Sequence, residues 1–137
     1  MQKIETMIDK YVADAIITVD LRINCEFKDF MDELPHNHNG IYIIYEQNGE
    51  DTTVVYVGKG KIKTRQKRHR QKLIETPQKS DPLAWRWFRN KRGFDYDKLK
   101  LIALFFNGDS AMTCLEGNLV HHLQPLLNNE TFKGDLK

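Results

Sequence analysis

Two short runs rich in β-branched and aromatic residues, Ile41–Tyr45 and Thr53–Val57, stand on either side of Gln47-Asn48-Gly49-Glu50. No other feature limits the fold as much. Such runs favour the pleated, half-buried surface of a sheet, and an Asn-Gly step between them is a strong short-range hairpin signal. A lone hairpin is at best marginally stable in water, so further elements must cover it. Leu99, Leu101 and Leu104–Phe106, closed by Asn107-Gly108, read as a third strand.

The remaining apolar residues recur at helical spacing. Ile4, Met7, Ile8, Tyr11, Val12, Ala15 and Ile16 predict an amphipathic helix over residues 3–17, and Phe27, Phe30, Met31 and Leu34 a second one ended by Pro35. Residues 61–75 read as a charged helix, Leu83–Asn90 as a short helix stopped by Gly93, and residues 110–123 as a last helix with Leu115, Leu119 and Leu123 in one stripe. The expected class is α+β: a three-stranded antiparallel sheet flanked by helices over residues 36–137, with an N-terminal helical extension over residues 1–35.

A chain of 137 residues buries enough surface for one core without a disulfide framework. It has no apolar run of membrane-spanning length and no basic, apolar leader at Met1–Glu5, so a cytoplasmic protein is expected. Cys25 and Cys114 stand far apart without paired histidines, which disfavours a zinc site and suggests two free thiols. His36, His38, His121 and His122 bring no second ligand set at suitable spacing.

The overall net charge of +2 hides a steep asymmetry. Residues 1–39 carry −4, residues 40–58 carry −3, residues 59–92 carry +11 and residues 93–137 carry −2. A basic block of this density inside a nearly neutral chain suggests a face for a polyanion, because clustered Lys and Arg displace counterions from nucleic-acid phosphates; a solvated helix surface is the plainer alternative. Trp85, Trp87, Arg86, Arg89, Lys91 and Arg92 add aromatic character to the same block, as a base-stacking groove would need, or as a core with arginines facing water would equally show.

One motif gives this block a context. Gly40-Ile41-Tyr42 on the first strand is followed by Tyr56-Val57-Gly58 on the second, then Lys59, Arg65, His69, a later Glu116, and Pro125 and Asn128 in a Glu…Pro-x-x-Asn arrangement. The pattern resembles the GIY-YIG nuclease family across residues 36–130. Family members often place an arginine eight residues after the second triplet's glycine, where this chain has Gln66. Arg65 is preferred here because it and His69 lie four residues apart on one helix face, and Arg68 is the alternative.

The resemblance implies phosphodiester hydrolysis by a metal-dependent DNA endonuclease using Mg²⁺ or Mn²⁺ and leaving a 5′ phosphate and a 3′ hydroxyl. Glu116 would hold the metal, since Mg²⁺ often takes one or two protein carboxylates and keeps several waters; the competing reading is a capping box formed with Thr113. Arg65 would bind the scissile phosphate, and His69 would relay a proton or contact a phosphate oxygen. Tyr42 and Tyr56 would orient or deprotonate the water, with Tyr56 preferred as base and Lys59 beside it favouring the phenolate. Gly40, Gly58 and Asn128 would support the site. Lys61, Lys63, Lys67, Arg68, Arg70, Arg86 and Arg89 would contact DNA.

Both tyrosines serve one site only if they share a face. A two-residue Asn48-Gly49 turn would put Tyr42 opposite Val55 and send Tyr56 to the other side. A loop of odd length, pairing Gln47 with Asp51, would set Tyr42 opposite Tyr56, and that register is expected. The competing functional class is a nucleic-acid-binding module without catalysis, and a protein-interaction domain using the acidic N-terminal region ranks last. A homodimer is one route to double-strand cleavage, and a standalone restriction-like or phage-type enzyme is the biological setting that the length favours.

Overall fold

The structure is a computed structural model that describes residues 15–20, 39–75, 81–106, 109–129 and 131–132. Its elements are β1 (Ala15–Asp20), β2 (Asn39–Asn48), β3 (Asp51–Lys61), α1 (Ile62–Arg70, continuing in a π-helical turn Gln71–Glu75), α2 (Leu83–Arg86, continuing in a π-helical turn Trp87–Arg92), β4 (Leu99–Phe105) and α3 (Asp109–Leu123). The class is α+β, an antiparallel sheet with flanking helices. Among the described residues no helix is long and apolar enough to cross a membrane.

The three expected strands, β2, β3 and β4, form the body of the sheet, whose order is β1-β4-β2-β3. The fourth strand, β1, joins at the β4 edge with Ala15 opposite Phe105 and Asp20 opposite Lys100. The N-terminal extension is therefore a strand of this sheet at residues 15–20, where the helical reading of residues 3–17 overlapped it. Ile16-Ile17-Thr18-Val19 is a β-branched run, and a short apolar run fits helix and strand spacing alike, so pairing with β4 decides. The rest of that expected helix, the second one over Phe27–Leu34, and His36 and His38 lie outside the described residues.

Helices cover both faces of the sheet. Tyr42, Ile44, Val55, Leu101, Ala103 and Phe105 face α1 and α2, where Ile62, Leu73, Trp85 and Phe88 close a first core. Ile41, Ile43, Tyr45, Val57, Ile102 and Leu104 face α3, where Met112, Leu115 and Leu119 close a second. Burial on both sides explains why Ile41–Tyr45 is continuously apolar instead of alternating.

The hairpin differs from the expected register at two places. Its turn is the two-residue Gly49-Glu50, between the pair Asn48–Asp51, and Gly49 takes φ 60°, the left-handed conformation of a type II′ first position. The expected odd loop is thus absent. A β-bulge then inserts one extra residue in β3: Tyr45 pairs with Val54 but Ile44 pairs with Tyr56, leaving Val55 as the extra. The even turn alone would separate the tyrosines, and the bulge restores their common face. Tyr42 consequently stands opposite Gly58, diagonal to Tyr56.

Candidate active site

The site begins with Tyr42, which is 2% exposed at the centre of the sheet. Room for its ring comes from small partners: Ala103 is opposite on β4 and Gly58 opposite on β3. A Cβ at Gly58 would run into the Tyr42 hydroxyl and the edge of the Tyr56 ring. Tyr42 and Tyr56 have ring centroids 6.0 Å apart. Gly40 serves β2 differently, lying against the Leu104 carbonyl where a side chain would collide.

Helix α1 brings His69 onto this pair. Ile62, Gln66, His69 and Leu73 recur at helical spacing and are the buried stripe of the helix. His69 is 5% exposed, and its Nε2 lies 2.8 Å from the Tyr42 hydroxyl oxygen. Its ring stacks on Trp85 with centroids 4.6 Å apart and planes at 8°, and Tyr56 packs against both rings. Burial first, then the positive charges of Lys72, Arg65 and Arg68, hold the imidazole well below the ordinary histidine range, so it is neutral at pH 7.

Burial also pushes the Tyr42 phenol up, with further contributions from Tyr56 and Glu116 that the Arg65 charge only partly offsets. Tyr42 stays protonated, and its hydrogen bond to Tyr56 reinforces this. With the imidazole neutral, the tautomer that carries its proton on Nε2 donates to the Tyr42 oxygen and lets the Tyr42 hydroxyl donate to Tyr56. The three groups form a chain of hydrogen bonds from His69 through Tyr42 to Tyr56.

The basic residues divide by position. Arg65 is exposed on α1 and lies across the start of the helix, where a Cβ at Gly60 would stand 2.9 Å from its Nε. Its charge is felt by Tyr42, His69 and Lys72, and that of Arg68 by His69 and Lys72. Lys59 is not the neighbour of Tyr56 that was expected. Alternation along β3 sends it to the α3 face, and its ammonium donates to Thr113 Oγ1 at 2.8 Å.

Lys61, Lys67 and Arg68 are exposed and Lys63 is half-buried on this end of the molecule. The side chain of Arg70 lies outside the described residues. Arg89, expected on DNA, instead donates to the Lys72 carbonyl at 2.7 Å and pairs with Asp81 at 3.1 Å, which clamps α2 to the end of α1. Arg86 is half-buried, with its Nε among the buried atoms that have no partner among the described residues. Trp85 and Phe88 are core residues.

The opposite wall comes from α3. This helix starts at Asp109, so Thr113 and Glu116 are inside it and do not form a capping box. Glu116 is half-buried and lines a cleft of about 530 Å³ shared with Tyr56, Lys72, Trp85, His121, Gln124, Asn128 and Thr131. Asn128 fixes the cleft floor: its amide accepts from Val57 N at 2.9 Å and donates to Val57 O at 2.7 Å, as a neighbouring strand would. Leu126 N and Leu127 N bond the Val54 and Val55 carbonyls at the bulge, at 3.1 and 2.9 Å.

The structure therefore brings Tyr42, Tyr56, His69, Arg65 and Glu116 to one region, backed by Gly58 and Asn128, and leaves Lys59 and Arg89 in other roles. Lys72, His121 and Gln124 were missed as cleft residues. Gln124 had one possible signal, its place just after a helix end, where it takes φ 50°.

Among the described residues no three His, Cys, Asp or Glu side chains are grouped to hold a metal. The donor set still fits one kind of ion. Glu116 is a single carboxylate beside amide, hydroxyl and phenol oxygens, in a cleft with room for a Mg²⁺ or Mn²⁺ ion that keeps most of its waters.

No family model, curated protein or solved structure matches the chain.

Proposed function

We propose that the protein is a metal-dependent endonuclease that hydrolyses DNA phosphodiester bonds to 5′-phosphate and 3′-hydroxyl ends, as its resemblance to the GIY-YIG nucleases implies. The observation that carries this reading is the bulged register, which turns Tyr42 and Tyr56 to one face beside His69 and next to the cleft that Glu116 lines. Aromatic packing alone needs no such bulge, and bulges recur beside active sites, where they re-aim a side chain.

Tyr56 is the base in this reading. As its phenolate it accepts the proton of the attacking water while the water oxygen bonds to phosphorus and the P–O3′ bond breaks, and the released 3′ oxygen takes a proton from solvent water to end as the hydroxyl. A hydrogen bond donated by Tyr42 stabilises the charge Tyr56 carries in that role, and neutral His69 holds Tyr42 as donor. Arg65 offers a planar fork of donors to the non-bridging phosphate oxygens. Glu116 would hold Mg²⁺ or Mn²⁺, which when bound supplies charge stabilisation to the phosphate and the leaving oxygen. The exposed Lys61, Lys67 and Arg68 add sequence-independent affinity for the strand.

One cleft cuts one strand per encounter, so duplex cleavage takes two copies or two visits. The deciding experiment is cleavage of supercoiled plasmid with Mg²⁺ or Mn²⁺, with an EDTA control and the Glu116→Ala variant. Nicked and linear products that need both the metal and Glu116 are expected. Intact plasmid with salt-sensitive binding retained in both proteins would overturn hydrolysis and leave a binding module.

A further inference from the structure

The cleft is lined by a lysine that neither the motif nor the hydrolytic scheme uses. Lys72 lies in the π-helical turn Gln71–Glu75 that follows α1, on the wall facing Glu116. Such turns interrupt the regular helical spacing and occur often at functional sites, since they redirect the side chains they carry. The backbone here is pinned, because Arg89 donates to the Lys72 carbonyl and is itself held by Asp81. The side chain is pinned too, with Nζ 5.1 Å from the Trp85 ring centroid, and Trp85 is fixed in turn by its stack on His69.

We propose that Lys72 is a substrate-binding residue of the cleft, gripping a backbone phosphate next to the one that is cleaved. The inference rests on the nuclease reading for the identity of the strand. Lys72, half-buried on the cleft wall, feels the opposite charge of Asp81, a carboxylate that Arg89 already engages, and the like charges of Arg68 and Arg65. Burial shifts the ammonium down from its ordinary value, the mark of a cation that has lost water without gaining full compensation. A phosphate diester supplies that compensation. With Arg65 on the scissile phosphate and Lys72 farther along α1, the strand would run along the helix between the α1 wall and the Glu116 wall.

The test is binding of a short DNA duplex in EDTA, where no hydrolysis occurs, over a series of salt concentrations. The proteins compared are wild type, Lys72→Met, Lys72→Arg and the charge-matched control Lys98→Met, whose exposed lysine lies outside the cleft. Each phosphate contact contributes about 0.9 to the slope of log affinity against log salt. Lys72→Met should bind several-fold more weakly with a slope shallower by about that amount, while Lys72→Arg and Lys98→Met stay close to wild type.

An unchanged slope in Lys72→Met, an equal loss in Lys98→Met, a loss in Lys72→Arg as well, or no binding by the wild type overturns the proposal. The plasmid assay separates the two readings. Lys72-dependent binding without metal-dependent cleavage removes the nuclease and leaves the phosphate contact standing.

Discussion

The two faces of the sheet are built from the same strands and differ in what they bury. Under α3, Ile41, Ile43, Val57, Ile102 and Leu104 meet Met112, Leu115 and Leu119, an apolar interior of the kind that supplies most folding free energy. Under α1 and α2, the interior includes Tyr42, His69, fully buried Gln66 and the partly buried Tyr56. The buried side-chain atoms without a hydrogen-bond partner among the described residues all belong to those two helices: the Gln66 amide, His69 Nδ1 and Arg86 Nε. Each such group costs stability that an apolar residue would not. One face holds the molecule together, and the other gives up stability by burying polar side chains.

The largest effect is expected from Glu116→Gln, at a residue of α3 that lines the cleft and takes no part in the apolar interior beneath that helix. Loss of at least about a thousandfold in plasmid cleavage is expected, roughly 4 kcal/mol of transition-state stabilisation, with little change in the thermal transition. Leu119→Ala on the α3 face should do the reverse, lowering stability by about 2–5 kcal/mol in urea denaturation. Cleavage at a temperature where the variant is folded should remain near the wild-type rate. A Leu119 variant that is stable but inactive would break the comparison.

A third test uses pH. The unfolded chain takes up a proton at His69 below about pH 6.5, whereas burial keeps the folded imidazole neutral well below that. Stability is therefore full above about pH 6.5 and falls as the pH drops toward the folded-state value, by at most about 1.4 kcal/mol per unit. Denaturant midpoints measured between pH 7.5 and 5 would show that slope, and His69→Phe should flatten it. The smallest expected effect is a gain. Gln66→Met removes an amide whose two polar atoms have no partner among the described residues and keeps its volume, so stability should rise by about 1 kcal/mol. A loss there would mean that the amide is satisfied by something that methionine cannot replace.

Much of the fold was legible because periodicity and punctuation agree. The strands around Gln47–Glu50, the helix stopped by Gly93, which takes φ 75°, and the last helix all fall close to their expected limits. The hairpin register was not legible, since a bulge depends on which carbonyls find donors. Val54 and Val55 find theirs in Leu126 and Leu127, far away in sequence. Ala15–Ile17 was misread as the end of a helix, and the rest of β1 was not read as a strand, for a similar reason, as the partner strand begins only at Leu99. In the site, the triplets and Glu116 marked the tyrosines and the carboxylate. Lys72 was one lysine among many until the turn after α1 set it over Trp85, and the ion pair that occupies Arg89 involves a carboxylate in a different segment.

The amide of Asn128 has a consequence beyond the cleft. By offering Val57 both a donor and an acceptor, it takes up the main-chain groups through which β3 would otherwise recruit a strand from another molecule. The residues around it thus act as a guard against edge-to-edge association, and the guard depends on a carboxamide. An aspartate at that position keeps the acceptor and loses the donor, leaving the Val57 carbonyl open to a strand from a second molecule. Self-association that grows with concentration is the behaviour such a chain would show first.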